Sequence, residues 1–387
     1  MKFAAAIVCT AIVVVASVTW KWSSDRRHTE FQQSAKKAVL THQWKKLHEI
    51  STTWLRWDPT DDDAKVYYAE ACVQLEDFKT AAEVLGHINS DYQGYLAALG
   101  TRAEILFSEL NQPLEAVDIW NLMLEKEPAA NVPQQRLIYW YALTLQRKKL
   151  VDQIQAAAIA GSEPREAYAY LVLSDDLNFS DGLETVTRWR SQYPEDQILE
   201  VAQAVYAAKV TSSRSLPKFG TSTVMPGDRS LVDRCREKYP NALEPLALLI
   251  DLAVFEGDES EVRRLLNDAP AAAEADGRFW RFRGWLLTAN MSFDAAEQSL
   301  QRAIDLNPWD WRARLFLADV LRKLGQQEKA TEVGELAMAG KTLHSRLLES
   351  PNARELSLEL VDQIYSHLQQ TGPKAICEAL AKRLNSD

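Results

Sequence analysis

The chain has 387 residues, with 47% hydrophobic residues, 14 Gly and 14 Pro, so it can form a large folded body. Few glycines and prolines alongside many Ala, Leu, Glu and Gln favour helices over other structure. The formal net charge of −10 argues against general nucleic-acid binding, which needs a basic surface.

The N-terminus carries an apolar run, FAAAIVCTAIVVVASVTW, from Phe3 to Trp20, without a charged residue. As a helix, eighteen residues rise roughly 27 Å, which is close to the thickness of a hydrocarbon core. Trp20 and Trp22 then stand where an interfacial aromatic belt is expected. The sequence therefore predicts a transmembrane anchor over 1–22 and a single-pass membrane protein.

A cleaved signal peptide is the alternative for the same run, with Lys2 at its charged start and cleavage near Ala16 or Ser17. Orientation depends on the flanking cations, which are more numerous after the run. These cations are Lys21, Arg26, Arg27, Lys36 and Lys37. They favour a cytoplasmic location for the body of the chain, and export of the body is the alternative.

Prolines after long helical patterns mark an internal repeat. They are Pro59, Pro128, Pro194, Pro240 and Pro308, and their successive separations in the sequence are 69, 66, 46 and 68. Three separations equal two periods of about 34, and the other equals one period plus about twelve. A period of this length is typical of helix–turn–helix repeats.

Small residues follow the same period. Gly284 and Ala318 are one period apart, as are Ala35 and Ala69, and Ala303 and Ala337. A second set of small residues lies at the corresponding position in the second helices of four repeats: Ala81, Ala116, Ala296 and Ala330. Two antiparallel helices approach closely only where side chains are small, so we expect helix contacts at these positions.

The stretch FWRFRGWLLTANMSFDAAEQSLQRAIDLNP resembles the tetratricopeptide repeat. Its matching residues are Trp280, Gly284, Leu287, Phe293, Ala296, Leu300, Ala303 and Pro308. The resemblance implies an all-α, right-handed superhelical solenoid of about nine to ten hairpins over 28–344, with C-terminal capping helices in 345–387. The units are 28–61, 62–95, 97–130, 134–162, 163–196, 197–242, 243–276, 277–310 and 311–344, followed by a closing pair over 353–384.

Some positions depart from the repeat. Glu104 and Ile250 stand where a small residue is usual, which predicts looser packing. The segment 211–228 is rich in Ser, Thr, Gly and Pro and predicts a loop insertion, either a tolerated one or a functional one. Near the C-terminus, Gly372 is expected to stop a helix and Pro373 to begin the last one.

Motifs for catalysis, cofactors and metals are absent from the sequence. It contains no GxxxxGK[ST], GxGxxG or HExxH pattern and no CxxC pair. The cysteines are Cys9, Cys72, Cys235 and Cys377, too dispersed to suggest a disulfide framework or a zinc site. The acidic stretch TDDDA, 60–64, could form a metal site or a helix start capped by Thr60 or Asp61, and the cap is favoured. We therefore expect no cofactor and no enzyme; an enzyme with a loop-borne site is the less favoured alternative.

The resemblance also implies that the first helix of each unit lines a concave groove. On this projection the predicted partner-binding residues are Arg278, Arg281, Trp285, Arg312, Arg322 and Lys323. Guanidinium groups suit carboxylates, which predicts a partner protein or peptide with acidic or C-terminal carboxylate groups. The alternative is a solvated cationic face paired with acids of the chain itself.

The predicted function is a membrane-anchored scaffold or adaptor that binds a partner through this groove, with envelope assembly as one setting. An accessory or regulatory subunit of a membrane enzyme is the alternative from another class. If the cations serve a partner, removing Arg281 and Arg312 should weaken capture and leave the melting temperature nearly unchanged.

Overall fold

The computed structural model describes residues 25–213, 229–349 and 356–384, and all regular structure in these ranges is helical. The predicted all-α class is therefore confirmed, while the right-handed superhelix stays a prediction. The apolar run Phe3–Trp20 lies outside the described residues, as does most of the predicted loop. Among the helices within those ranges, none combines the length and apolar character needed to cross a membrane.

The chain forms two compact units, residues 1–123 and 124–387. The described residues of the first unit form six α-helices and one π-helix, the last α-helix ending just beyond the unit. They are α1 (25–40), α2 (Trp44–Trp57), α3 (Asp62–Gln74), α4 (Phe78–Leu85), α5 (Tyr95–Glu104), the π-helix Ile105–Glu109 and α6 (Pro113–Lys126).

Trp54 is the centre of packing in the first unit. It is fully buried, and its ring stacks on Phe31 of α1 at 5.6 Å with an interplanar angle of 10°. Its Nε1 donates a 3.0 Å hydrogen bond to Asp61, whose other carboxylate oxygen accepts from the backbone N–H of Ala64. Asp61 thus caps α3, and the predicted helix start within TDDDA is confirmed.

Glu104 marks a local change in helix type. The residue before it, Ala103, is fully buried, and the π-helix begins at Ile105. A π turn accommodates one extra residue. The small contact residue therefore comes one position earlier than the repeat predicts, and the π-helix restores the register.

The remaining helices of the described ranges lie in the second unit. They are α7 (Asn131–Leu143), α8 (Arg147–Ala160), α9 (Arg165–Val172), α10 (Gly182–Gln192), α11 (Gln197–Ser213), α12 (Ser230–Lys238), α13 (Leu243–Glu256), α14 (Glu259–Asn267), α15 (Gly277–Ala289), α16 (Phe293–Leu306), α17 (Trp311–Lys323), α18 (Gln327–Glu349), α19 (Leu358–Thr371) and α20 (Lys374–Leu384). A short 3-10 helix, Ala271–Ala275, precedes α15.

Several boundaries differ from the predicted ones. Residues 211–213 belong to α11 rather than to a loop, and α18 continues past 344 to Glu349. Helix α19 ends at Thr371, directly before Gly372, as expected. Helix α20 begins one residue after Pro373, whose carbonyl accepts from the N–H of Cys377.

A close helix contact in the second unit joins α15 and α16. A Cβ atom placed on Gly284 would lie 2.5 Å from Cγ of Leu300. Ala296 and Ala303, on α16, are fully buried. The small residues of the repeat therefore lie at a helix interface, in agreement with the sequence.

The connection between α9 and α10 is unusual. It spans nine residues, 173–181, whereas the turns inside the pairs α7–α8 and α15–α16 have three. The predicted unit 163–196 still has the full repeat length, so the long connection arises because α9 ends early, at Val172. We call this segment the α9–α10 loop.

The last helix pair does more than close the end of the chain. Helix α19 packs against α9 as well as α18, and α20 packs against α8. Tyr168 and Tyr365 meet edge to face at 5.4 Å, and Leu368 is fully buried. The apolar face of α19 thus packs on α9, and the predicted capping role of the pair stays a prediction.

Candidate functional site

A groove opens between α13, α15 and α17, which are the first helices of three consecutive pairs. Its volume is ≈ 180 Å³. The lining residues are Asp251, Val254, Phe255, Arg281, Phe282, Arg312 and Phe316. Phe255 is 58% exposed, which is high for a residue of this size and apolarity.

The repeat period explains why these side chains meet. Asp251, Val254 and Phe255 are spaced by three and four residues, so they share one face of α13. Phe282 and Phe316 are one period apart and hold equivalent positions on α15 and α17. Stacked pairs bring equivalent positions side by side, and three aromatic rings consequently border one groove.

Arg281 lies at the floor of the groove and is only 2% exposed. Its Nη1 donates to Asp175 at 2.7 Å and also to Asp310, the residue that caps α17. Its guanidinium lies 5.2 Å from the ring centroid of Phe282. Burial alone would lower the pKa of Arg281, but Asp310 and Asp175 raise it above its usual value, so the side chain stays charged.

Arg312 forms the second cationic part of the floor. It donates to Asp176 through Nη1 at 3.1 Å, and its Nη2 lies 3.1 Å from the other carboxylate oxygen. Its side chain is 19% exposed. Arg312 therefore borders the groove with its charge already neutralised by an acid of the same chain.

Both acids come from the α9–α10 loop. Asp175 also accepts from Arg147, with Nη2 at 2.5 Å, and from Asn307 at 3.0 Å. Burial alone would raise the pKa of Asp175, but Arg147 and Arg281 lower it below its usual value. The loop carboxylate thus joins α8, α15 and the α16–α17 turn through charged hydrogen bonds.

Asp176 is held in the same way on the other side of the loop. His344 of α18 places Nε2 at 3.0 Å from this carboxylate. Burial alone would raise the pKa of Asp176, but Arg312 and His344 hold it well below its usual value. The pair Asp175–Asp176 was missed in the sequence, where the only sign of it is two adjacent acids after α9.

Arg278 lies outside the groove lining. It is 5% exposed and binds Glu244 through two hydrogen bonds of 2.7 Å. It also donates to Asp276, the N-cap of α15, at 2.7 Å. Arg278 is therefore paired with Glu244 of α13 and is not part of the groove lining, and its predicted role in partner binding stays a prediction.

The other predicted residues lie outside the described groove lining. Arg322 is exposed and pairs with Asp319 on its own helix. Lys323 is exposed, with Nζ 5.1 Å from the centroid of Phe293, and Trp285 is half-buried. Of the six predicted partner-binding residues, the lining therefore contains Arg281 and Arg312.

The charges around the floor nearly cancel. Its cations are Arg147, Lys209, Arg278, Arg281 and Arg312, and its acids are Asp175, Asp176, Glu244, Asp251, Asp276 and Asp310. Five positive charges face six negative ones. The local positive field expected from the sequence is thus balanced by acids of the chain itself.

In the described ranges, one group of side chains has a metal-like arrangement. Ligand atoms of His28, Asp61 and Asp63 lie within 4.8 Å of one another. The Asp61 oxygens accept from Ala64 N–H and Trp54 Nε1, and Asp63 accepts from Tyr92 at 2.7 Å. A cation here would also meet the positive end of the α3 dipole. The arrangement fits helix capping better than metal binding.

Comparison with known proteins gives structural likeness alone. No protein-family model matches the chain, and no curated protein matches it. Among solved structures, it is similar to a tetratricopeptide repeat protein from Parabacteroides merdae, with 12% identity, 67% of this chain and 98% of that chain covered, and a TM-score of 0.32. It is also similar to yeast Tom70, with 13% identity, 92% and 88% coverage and a TM-score of 0.29. A third similar structure is the APC/C hetero-tetramer Cut9–Hcn1, with 13% identity, 91% and 79% coverage and a TM-score of 0.32.

Proposed function

We propose that the chain is a non-enzymatic scaffold of tetratricopeptide type that holds a partner peptide in the groove between α13, α15 and α17. The observation that carries this proposal is the exposed ring of Phe255 at the edge of a groove bordered by two further phenylalanines. Binding sites combine apolar walls with a few placed polar groups, and this groove has both.

The groove favours a partner with a large apolar side chain. A volume of ≈ 180 Å³ accommodates one aromatic or branched aliphatic group between Phe255, Phe282 and Phe316. Such a buried anchor usually supplies most of the binding free energy in an interface. Because Arg281 and Arg312 already pair with carboxylates, the acidic partner expected from the sequence is not part of this proposal.

Phe255→Glu tests the groove, with Met338→Glu as its matched control. Both residues are exposed, at 58% and 52%, and both lie in the second unit, so neither change should unfold the chain. Proteins captured from solubilised membranes by the wild type would be compared by mass spectrometry with those captured by each variant. We then expect a synthetic segment of the captured partner to bind Phe255→Glu at least about tenfold more weakly, while Met338→Glu binds it normally.

Equal binding of the partner segment by both variants would move the binding site away from this groove. Capture of a membrane enzyme whose activity rises or falls when the chain binds would instead favour an accessory or regulatory subunit.

The proposal includes anchoring of the chain in a membrane by the run Phe3–Trp20. Its support is the length and apolarity of that run in the sequence. An anchored chain should resist carbonate extraction and keep Met1, or the residue after it, as its N-terminus. A native N-terminus near Ser17 would show cleavage and an exported body.

A further inference from the structure

Charge is distributed unevenly along the chain. Residues 1–57 contain nine Lys and Arg and three Asp and Glu, which leaves 35 cations and 51 acids for 58–387. The first part therefore carries a formal charge of +6 and the rest −16. Helices α1 and α2 lie in the basic part, and 25–57 alone carries seven cations against three acids.

The basic residues gather where α1 turns into α2. We call the segment 36–46 the α1–α2 tip. Its four lysines are all exposed: Lys36, Lys37, Lys45 and Lys46. Among the described residues, no carboxylate lies within 4.0 Å of their ammonium groups. These charges are consequently available to an external anionic surface.

An apolar side chain stands between the two lysine pairs. Leu40 is 81% exposed, the most exposed large hydrophobic residue in the described ranges. Trp44, at the start of α2, is half-buried and packs against His42 at 5.4 Å. A leucine and a tryptophan surrounded by lysines are typical of segments that lie at a bilayer interface.

The position of the tip in the chain fits a membrane surface. The apolar run ends at Trp20, and residue 25, the first described residue of α1, is five positions later, so the two lie at most about 17 Å apart. The described part of α1, 25–40, has 16 residues and is about 24 Å long. The tip can therefore reach the lipid only if α1 lies along the surface.

We propose that the α1–α2 tip docks on an anionic lipid surface, with its four lysines on the headgroups and Leu40 inserted between them. The tethering part of this inference rests on the proposed membrane anchor; the charge and exposure of the tip do not. An anionic bilayer fits better than nucleic acid or an acidic protein, because it also accepts Leu40 and lies next to the apolar run.

The test uses the full chain in nanodiscs of phosphatidylcholine, with or without phosphatidylglycerol. Hydrogen–deuterium exchange of peptides from 36–46 reports contact with the lipid. Each basic residue near an anionic surface contributes roughly a fivefold gain in affinity for that surface. Because bound amides are shielded from solvent, we expect amide exchange in 36–46 to slow by about fivefold or more on the anionic discs. High salt should remove most of this protection.

A charge-matched pair of variants isolates the tip. The quadruple variant K36E/K37E/K45E/K46E should lose the protection. The control K79E/K148E/K149E/K329E changes four exposed lysines elsewhere and should keep it. Loss of protection in both variants would show that the net charge of the chain, rather than the position of the lysines, causes the protection, and would overturn the docking proposal.

Two further results are decisive. Equal exchange of 36–46 on neutral and anionic discs overturns the inference, as does stronger protection by added RNA or an acidic peptide than by anionic lipid. Recovery of the chain with the discs tests the anchor separately. If the chain is not recovered with them, flotation with anionic vesicles by the wild type but not by K36E/K37E/K45E/K46E still supports the tip.

Discussion

Arg281 donates a 2.7 Å hydrogen bond to Asp175, a carboxylate 106 residues earlier in the chain; the Arg281 side chain is buried and that of Asp175 is 11% exposed. The bond fixes the α9–α10 loop on α15, at the floor of the groove. It also gives a structural role to a cation that sequence alone assigns to a partner. A structural role predicts that removing Arg281 lowers the stability of the fold, whereas a role in partner binding predicts no change in stability.

Arg281→Ala should destabilise the second unit by about 3–5 kcal/mol, because Asp175 and Asp310 would keep buried charges without their partner. Urea unfolding of the purified chain measures the change. Arg322→Ala is the control, since its pair with Asp319 is exposed and should contribute at most about 0.5 kcal/mol. An unchanged unfolding midpoint for Arg281→Ala would mean that its cation is free for a partner after all.

Alanine substitutions at two helical glycines separate the effect of close packing on stability from the effect of helix propensity. Gly284→Ala places a Cβ 2.5 Å from Leu300 and should lower stability by about 1–3 kcal/mol. Gly334→Ala places its Cβ no closer than 3.6 Å to Arg322 and should raise stability by about 0.5–1 kcal/mol. Thermal melting of both variants gives the comparison. Stabilisation by both would contradict the close approach of α15 and α16.

His367 should make stability depend on pH. Burial, together with Arg314, lowers the pKa of His367 to about 4. The unfolded chain, with a pKa near 6.5, then binds the proton more strongly, so stability falls as the pH drops from about 6.5 towards 4. Between pH 7 and pH 5 this loss should be about 2 kcal/mol.

His367→Gln should flatten this dependence in urea titrations at the two pH values. His87→Gln, at an exposed residue, should leave it unchanged. Equal slopes for the wild type and His367→Gln would show that His367 is hydrated in solution.

The TDDDA stretch predicts a cap rather than a metal site. Asp61→Ala should destabilise α3 by about 1–2 kcal/mol, because the N–H of Ala64 and Nε1 of Trp54 lose their acceptor. Thr60→Ala, at an exposed neighbour, should change stability by less than about 0.5 kcal/mol. Melting of the wild type should be the same with zinc, magnesium or EDTA; a clear rise with one metal would contradict the capping role.

Local spacing was sufficient for the helices and for much of their packing. Gly284 and Ala296 identify a close helix contact because only small side chains permit one, and this requirement recurs once in each repeat. Asp61 identifies a helix start because a carboxylate satisfies free N–H groups there. Such rules act within one or two turns and can be read from the sequence.

Only the tertiary structure decided which groups pair with the cations of the groove. Arg281 and Arg312 have the spacing of a cationic helix face, but Asp175 and Asp176 lie 106 and 136 residues before them and neutralise both. The approach depends on the early end of α9 and on the packing of α8 and α9 against the C-terminal helices. An ion pair between distant segments leaves no periodic pattern, because its geometry is set by the fold around it rather than by either segment.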